Sequence, residues 1–393
     1  MGSDRIAIVG AGLGGLACAI ALRQAGIAVD VYEAAERIEE TGAGLTLGLG
    51  AQHVFRALGV QRAVAASACP SGNLPFLHYE TGTPLMGALD TGDGLGDDGS
   101  ANIVRHIYRA DLQEVLLAEL ERLGGVTHTG HRLTRFDQDA DAATAYFDNG
   151  NSASARALIG ADGVRSAIRS QLVPGDTPRF TGHVAYRFLV PMERARPFMG
   201  LGRSAIFLGP KRTFNRYTMA QGSIVNGAAL VETGEQVPEG WSTPAPLGEL
   251  RAAFAGWHSD VTGLIAQAPE AQAGAIIKWG LYDRAPLDTW SQGRVTMLGD
   301  AAHAMLPFLG MGAAMAIEDG YVLARMLAAH DDVEAALRAY EARRIPRTFD
   351  VHHASRVQGE ITQSIDPDNF ALARAPVNNR AMMEFDPVAD LVA

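Results

Sequence analysis

Arg5-Ile-Ala-Ile-Val-Gly-Ala-Gly-Leu-Gly-Gly15 joins a short apolar run to a glycine-rich turn. Ile6–Val9 is an apolar run closed by glycine, the pattern of a strand buried on both faces. Leu13, Leu16, Ala17, Ile20 and Ala21 then recur at helical spacing, and Gly26 stands where a left-handed cap ends a helix. Ala28–Tyr32 reads as a second strand, so the first 33 residues form one βαβ unit. Between strand and helix, Gly10 permits the tight turn, Gly12 lets backbone approach a pyrophosphate, and Gly15 allows close helix–strand packing. The amides and dipole at the helix start hold negative charge. Glu33 ends the second strand, where a carboxylate accepts hydrogen bonds from a ribose. Together these features predict a dinucleotide site, without choosing between FAD and NAD.

Composition narrows the remaining classes. The chain has 393 residues, 47% hydrophobic and 20% charged, which excludes disorder for its bulk and suffices for a large core. One long α/β domain with a lobe, or two interleaved domains, both suit this length. A net charge of −11 argues against a nucleic-acid partner, and Arg343, Arg344 and Arg347 form only a short cluster beside Glu341. Cys18 and Cys69 make neither a disulfide framework nor a metal-ligand spacing, so no metal is expected and a reducing, cytoplasmic setting is. No apolar run approaches the roughly 18 residues of a spanning helix. Phe308–Ile317 is broken by two glycines, and Ile6–Val9 is too short for a signal-peptide core.

Further along, a helix is predicted from Asp111 to about Leu123, stopped by Gly124-Gly125. Val126–Ile159 reads as strands with a hairpin turn at Asn149-Gly150, and His183–Glu232 as strands with a turn at Gly222-Ser223. Helices at Leu247–Trp257 and Asp260–Ala268 precede a strand at Ile276–Leu281. The strand Val295–Leu298 leads through a glycine-rich turn to a helix from about Met311 to Ala329, and another helix covers Val333–Arg343. The tail after Asp366 reads as irregular, and Gly92–Gly99 as a mobile surface loop. Two further motifs carry chemistry. Gly160-Ala-Asp-Gly-Val-Arg-Ser166 follows the strand Ala157–Ile159. Gly299-Asp-Ala-Ala-His-Ala-Met-Leu-Pro307 continues through Gly310-Met-Gly-Ala-Ala314 to Ile317-Glu-Asp319. The latter places an aspartate at a strand's C-terminal edge, where open α/β sheets bind ligands, and then a helix N-terminus suited to an anion.

In this order and spacing the three motifs resemble those of the single-component, class A, FAD-dependent aromatic hydroxylases, from about residue 5 to residue 345. Tyr108-Arg-Ala-Asp-Leu112, His183-Val-Ala-Tyr-Arg187 and Asp283-Arg-Ala-Pro286 are similar to the salicylate and 6-hydroxynicotinate hydroxylase group. The resemblance implies an α/β, Rossmann-like FAD-binding domain of the p-hydroxybenzoate hydroxylase type, with an interleaved β-sheet substrate domain and C-terminal helices. Its FAD-binding parts would be residues 1–70, 101–180 and 276–345; its substrate-domain parts 71–100 and 181–275; and residues 346–393 the C-terminal helix and tail. It implies Gly10, Gly12, Leu13 and Gly15 at the FAD pyrophosphate, Glu33 and Ala34 at the adenosine ribose, and Leu133 on the adenine side. Arg109 would contact the phosphates or ribityl chain, and Asp162 the phosphates, with a part in NAD(P)H use. Asp300 would bind the ribityl and pyrophosphate region. Gly44 and the backbone of Gly310, Met311, Gly312, Ala313 and Ala314 would face the flavin.

The implied reaction uses NADH or NADPH and O₂ to hydroxylate a small phenolic or N-heteroaromatic compound through a flavin hydroperoxide, with or without decarboxylation. Pro307 would lie near the oxygen-reacting face, Tyr217 near the substrate hydroxyl, and Thr46 and Phe308 against the substrate. Arg187 would either steer a substrate carboxylate or brace the flavin. The partners are then a small aromatic and O₂, and the protein a monomer or homodimer. Three positions depart from the family pattern: Met311 where many members have Gln, Phe308 where some have His, and Thr46 where the 6-hydroxynicotinate enzymes have a histidine. Plainer roles compete at several positions. Arg109 could pair with Asp111, Leu133 could be core, His106 and His183 could be structural, His303 could support its turn, and Lys211-Arg212 could be a solvated strand end. A flavin-dependent halogenase is disfavoured because Trp241, Trp257, Trp279 and Trp290 contain no Trp-x-Trp pair. A flavin-binding NAD(P)H oxidase or redox sensor without an aromatic substrate is the other alternative.

Overall fold

Ile6–Val9 is fully buried at the centre of a five-stranded parallel sheet. The order across it is Val295–Met297, Ala157–Gly160, Ile6–Val9, Val29–Tyr32 and Val126–His128. The computed structural model describes residues 4–38, 44–72, 74–85, 104–237, 243–269, 276–364, 366 and 379–391. Gly92–Gly99 lies outside them. The three strands that precede the glycine motifs are thus neighbours, and their C-terminal ends line up along one edge of the sheet. Register holds them there: Ala161 N–H donates to Val9 O at 2.8 Å and Leu298 N–H to Gly160 O at 2.9 Å.

Two helices cover one face of this sheet, Leu13–Gln24 and Gly312–Ala329. They cross at glycines: a Cβ on Gly14 would come within 2.7 Å of Ala316 O, and one on Gly320 within 2.3 Å of Gly14 O. This close crossing sets both helix N-termini side by side at the strand edge.

A seven-stranded sheet packs beyond it, in the order Thr243–Pro244, Ile276–Asp283, Arg179–Pro191, Ile224–Glu232, Arg212–Met219, Ser204–Gly209 and Phe76–His78. All its pairs are antiparallel except the last. One face buries Phe188, Phe207, Phe214 and Phe254 in a separate core, and the other looks toward the parallel sheet. Between the two lies a small sheet in which Gly44–Leu47 and Cys69–Pro70 flank Arg105–Tyr108. The hairpin at Asn149-Gly150 forms as expected, with Gly150 at φ 83°. Both cysteines are free and buried. Among the described residues no helix is long and apolar enough to cross a membrane.

The last long helix departs from the sequence reading. It runs Val333–Ser364 rather than ending near Arg343, and Pro346 lies inside it. Proline removes one backbone hydrogen bond and normally ends or kinks a helix. Here side chains on both sides of Pro346 are anchored elsewhere. Arg344 reaches Asp319 at 2.7 Å, His352 Nε2 meets Asp283 at 3.1 Å, Ser355 Oγ donates to Leu306 O at 2.6 Å, and Gln363 Nε2 donates to Thr213 Oγ1 at 3.1 Å. Beyond Asp366, Asn379–Glu384 is helical where irregular chain was expected.

Candidate active site

At the strand edge the three motifs close on one another. Gly10 has φ 109°, and a Cβ there would stand 2.2 Å from Ala161 O, so the first motif packs directly on the second. A Cβ on Gly15 would stand 2.2 Å from Gly10 O, which keeps the helix close beneath the turn. Gly12 is different. Nothing lies within 4 Å of where its Cβ would be, because it faces an open cleft.

That cleft has two connected parts. A cavity of about 290 Å³ is lined by Gly10, Gly12, Glu33, Ala34, Arg109, Leu133 and Asp162, among others. A second, of about 380 Å³, shares Gly12 and Arg109 and extends past Leu13, Gly15, Asp300 and Gly310 to Gly312 and Ala313. Volumes of this size are usual for small-molecule sites. Arg109 begins the helix Arg109–Arg122 and stands where the two parts meet. Glu33 lies in the smaller part, its Oε2 accepting from Ala11 N–H and its Oε1 from Ala35 N–H, both at 2.9 Å. Each oxygen keeps a second lone pair for a ribose hydroxyl. Asp162 Oδ2 accepts from Ala167 N–H at 2.8 Å, while its buried Oδ1 has no partner. Burial pushes this carboxyl up from its ordinary range, partly offset by hydrogen bonds from Ser166, Ile168 and Ala167.

A dinucleotide such as FAD therefore fits the residues present. Gly12 leaves open space at the start of a helix, Arg109 supplies charge where a pyrophosphate would lie, and Asp162 Oδ1 awaits a donor. Met311 and Ala314 bury their side chains in packed clusters, so only their backbone is available to a cofactor.

The larger cavity continues between the parallel sheet and the seven-stranded one. Leu230, Trp279, Leu281, Leu306 and Phe308 make it largely apolar, and Pro307, Thr46, Arg187, Asn215 and Tyr217 also line it. Tyr217 packs on Gly44, where a Cβ would come within 2.7 Å of the phenol oxygen. Its ring stacks on the His106 imidazole, with centroids 4.2 Å apart and planes 19° from parallel. His106 faces Thr46 across the small sheet, and its Nδ1 lies 3.3 Å from Thr46 Oγ1. Burial lowers the His106 pKa to about 3, so the ring is neutral at pH 7. Burial also raises the Tyr217 phenol, opposed by the charge of Arg187, so Tyr217 is a neutral hydroxyl. Arg187 lies over Trp279 with its guanidinium 5.3 Å from the ring centroid.

His303 supports its turn, as read from sequence. Its Nε2 meets Asp319 Oδ2 at 2.5 Å, and the same oxygen accepts from Gly299 N–H at 3.0 Å. Lys211, exposed and paired with Glu232, is a solvated strand end.

Several residues that position the site escaped the sequence reading. Arg169, 1% exposed, donates to Ala302 O at 2.6 Å and Ala301 O at 3.2 Å, tying the second motif's helix to the third motif's turn. Gln113 Nε2 donates to Ala11 O at 2.8 Å and steadies the first glycine turn. Arg344 binds both Asp319 and Glu318 from 25 and 26 residues away. Arg169 lies only three residues past the quoted motif, a signal that could have been followed. Gln113 and Arg344 gave none, because their partners are far off in sequence.

Comparison with known proteins agrees with this geometry. A family model described as FAD binding domain matches residues 4–199 and 239–355. This chain belongs to that family. It is 38% identical over 356 residues to a 3-amino-4-hydroxybenzoate 2-monooxygenase of Streptomyces platensis, covering 90% of this chain and 87% of the relative. It is 33% identical over 371 residues to a 6-hydroxynicotinate 3-monooxygenase of Bordetella bronchiseptica, covering 93% and 94%. Among solved structures, Klebsiella pneumoniae HpxO with FAD and uric acid matches with TM-score 0.80 and 28% identity, over 99% of this chain and 95% of that one. A salicylate hydroxylase substrate complex matches with TM-score 0.82 and 25% identity, over 99% and 97%. The chain is thus an FAD-dependent monooxygenase with the fold that its motifs implied.

Proposed function

We propose that this protein hydroxylates a small phenolic or N-heteroaromatic ring, using FAD as cofactor, NAD(P)H as electron donor and O₂ as oxidant. One observation carries the reading. A single cavity has the glycine-motif helix N-termini on one wall and Tyr217, Thr46, Pro307 and Phe308 on another. FAD, when bound, supplies hydride acceptance and O₂ activation.

The chain's own residues do the rest. Gly12, Leu13 and Arg109 would hold the pyrophosphate with Asp162 beside its phosphates, and Glu33 would accept hydrogen bonds from the adenosine ribose. Asp300, at the C-terminal edge of Val295–Met297, accepts from ribityl hydroxyls. The N-terminus of Gly312–Ala329, which lines the cavity, would favour negative charge on a bound flavin by about 0.3–1 kcal/mol. The Tyr217 hydroxyl, neutral and facing the cavity, hydrogen-bonds the hydroxyl of the substrate ring and orients it. Leu230, Leu281, Leu306 and Phe308 keep water from the reacting centre, which a reactive oxygen donor requires.

The test is anaerobic flavin reduction by NADH and by NADPH, with and without hydroxybenzoates, hydroxypyridine carboxylates and quinolones. An aromatic that speeds reduction by a hundredfold or more, and emerges hydroxylated in air, is the expected result. FAD-loaded protein that oxidises NAD(P)H at one rate whatever the aromatic refutes the proposal in favour of an oxidase or sensor.

A further inference from the structure

Past Pro346, the helix Val333–Ser364 runs along the back of the larger cavity. Ser355, Gln358, Gly359 and Gln363 recur on it at spacings of three and four, so they share one face. Ser355 Oγ donates to Leu306 O at 2.6 Å, Gln358 lines the cavity, and Gln363 Nε2 donates to Thr213 Oγ1 at 3.1 Å. Gly359 stands in the middle of that face and is buried. A glycine in a helix interior weakens the helix relative to alanine, because it loses more freedom on folding. Its φ is not positive, so the backbone does not require glycine there. A neighbour does. A Cβ on Gly359 would come within 2.5 Å of Phe308 Cδ2 and 2.6 Å of Phe308 Cε2.

Phe308 lies in the short turn Pro307–Leu309 and lines the cavity. Its ring meets the His183 imidazole edge-on, with centroids 5.8 Å apart. It also packs on the cluster of Ala185, Leu230, Trp279, Leu281 and Leu306. Helix backbone at Gly359 closes its rear, and the open side is the cavity. Ser355 ties Leu306 O to the same helix, so the turn cannot back away from it. A side chain at position 359 is therefore accommodated by the ring moving forward, into space otherwise open to substrate. Restoring ordinary carbon–carbon contact takes about 1 Å, somewhat less than one carbon–carbon bond.

We propose that Gly359 sets how large a substituent the substrate ring can carry, acting through Phe308. The absent side chain lets the Phe308 ring lie back against the helix, and that gives the cavity its depth at this wall. Gly359 is a positioning residue, since it meets the substrate only through Phe308. The proposal rests on the hydroxylase reading above and adds to it a determinant of substrate size, placed on a helix outside all three glycine motifs. The wall at Phe308 is apolar, so each carbon added to a ring substituent tightens binding until the chain meets the ring, and weakens it afterwards. Moving the ring forward by about 1 Å should bring that limit one carbon nearer.

Binding across a size series tests this. FAD-loaded protein is titrated with phenol and with phenols carrying methyl to butyl chains at position 2, 3 or 4, following the flavin absorbance. In the unmodified protein, affinity should rise along at least one series and then fall. Gly359→Ala should bring that turning point forward by one carbon. Affinity for the chain that was optimal should drop about tenfold or more, while that for phenol stays within about threefold. In a Phe308→Ala background the same substitution should leave the turning point in place, because the ring that transmits the effect is gone. Thermal unfolding without any aromatic gives an independent reading. Gly359→Ala should lower Tm with Phe308 present and raise it in Phe308→Ala, where the helix preference of alanine is unopposed. FAD content of each variant shows that it is loaded. A turning point unmoved by Gly359→Ala, one moved equally in the Phe308→Ala background, or an equal loss for phenol and every homologue would overturn the proposal. So would the absence of a turning point, or of any phenol binding, in the unmodified protein. Hydroxylation of any aromatic in the reduction assay above would then leave the hydroxylase reading standing and remove only the role of Gly359.

Discussion

Gly12→Ala separates what the protein needs for itself from what it needs for its cofactor. Gly12 has φ −72° and ψ 175°, an extended conformation open to any residue, and its Cβ would touch nothing within 4 Å. Without ligand, alanine there removes only unfolded-state freedom and should stabilise the protein by about 0.4–1 kcal/mol. With a pyrophosphate against that backbone, the methyl group occupies the ligand's place. Overpacking of this kind costs about 1–3 kcal/mol, a loss of FAD affinity of roughly fivefold to more than a hundredfold. Gly10→Ala is the control. Its methyl group would meet Ala161 O at 2.2 Å, at a φ of 109° that alanine rarely adopts, so it should destabilise the protein with or without cofactor. The assay is FAD titration of apoprotein by fluorescence quenching, alongside thermal unfolding of both variants without FAD. A Gly12→Ala protein that binds FAD as the unmodified one does would refute the placement of the cofactor. One that unfolds earlier without FAD would show that the open space is not open.

Three further outcomes follow from the same geometry. Tyr217→Phe should lower kcat about tenfold or more with little change in Tm, because the lost hydroxyl faces the cavity rather than a protein partner; stopped-flow and calorimetry check the two halves. Arg344→Met removes one buried partner from each of Asp319 and Glu318, leaving Asp319 with His303 and Glu318 with Arg347, and should cost about 1.5–3 kcal/mol, read as a fall in denaturation midpoint. Asp319 also predicts the acid limb of stability. Burial alone would raise its carboxyl, but the charges and hydrogen bonds of His303 and Arg344 together lower it from 3.8 to about 2. A carboxyl depressed on folding stabilises above its unfolded value and loses that contribution as pH falls through its folded one. About 2 kcal/mol should therefore be present above pH 4 and disappear toward pH 2. Urea midpoints across that range should lose this slope in Asp319→Asn, judged against the unmodified protein.

How much was legible beforehand follows from the range of the interactions involved. The glycine turns, the strand endings and Glu33 were readable because each is a local requirement: a turn needs positive φ, and a helix start needs exposed amides. The order of three such motifs identified the family, and with it FAD, Arg109, Asp162, Asp300 and Tyr217. All of these line the two cavities. The long helix was read as ending near Arg343 because Pro346 is a local breaker. The anchors that carry it to Ser364, Asp319, Asp283, Leu306 and Thr213 among them, are 25 or more residues away.

The βαβ unit, the phosphate-binding turns and the class of chemistry are local properties of the chain, since they depend on backbone permissiveness and residue type within a few positions. Long-range packing makes glycine obligatory at position 10, where Ala161 lies against it, and makes His106 a neutral ring stacked on Tyr217. It also sets the small residue Ala228 between Arg187 and Asn215. Those facts depend on which strands are neighbours and in what register, and a one-residue slip in register would turn each of those side chains to the opposite face.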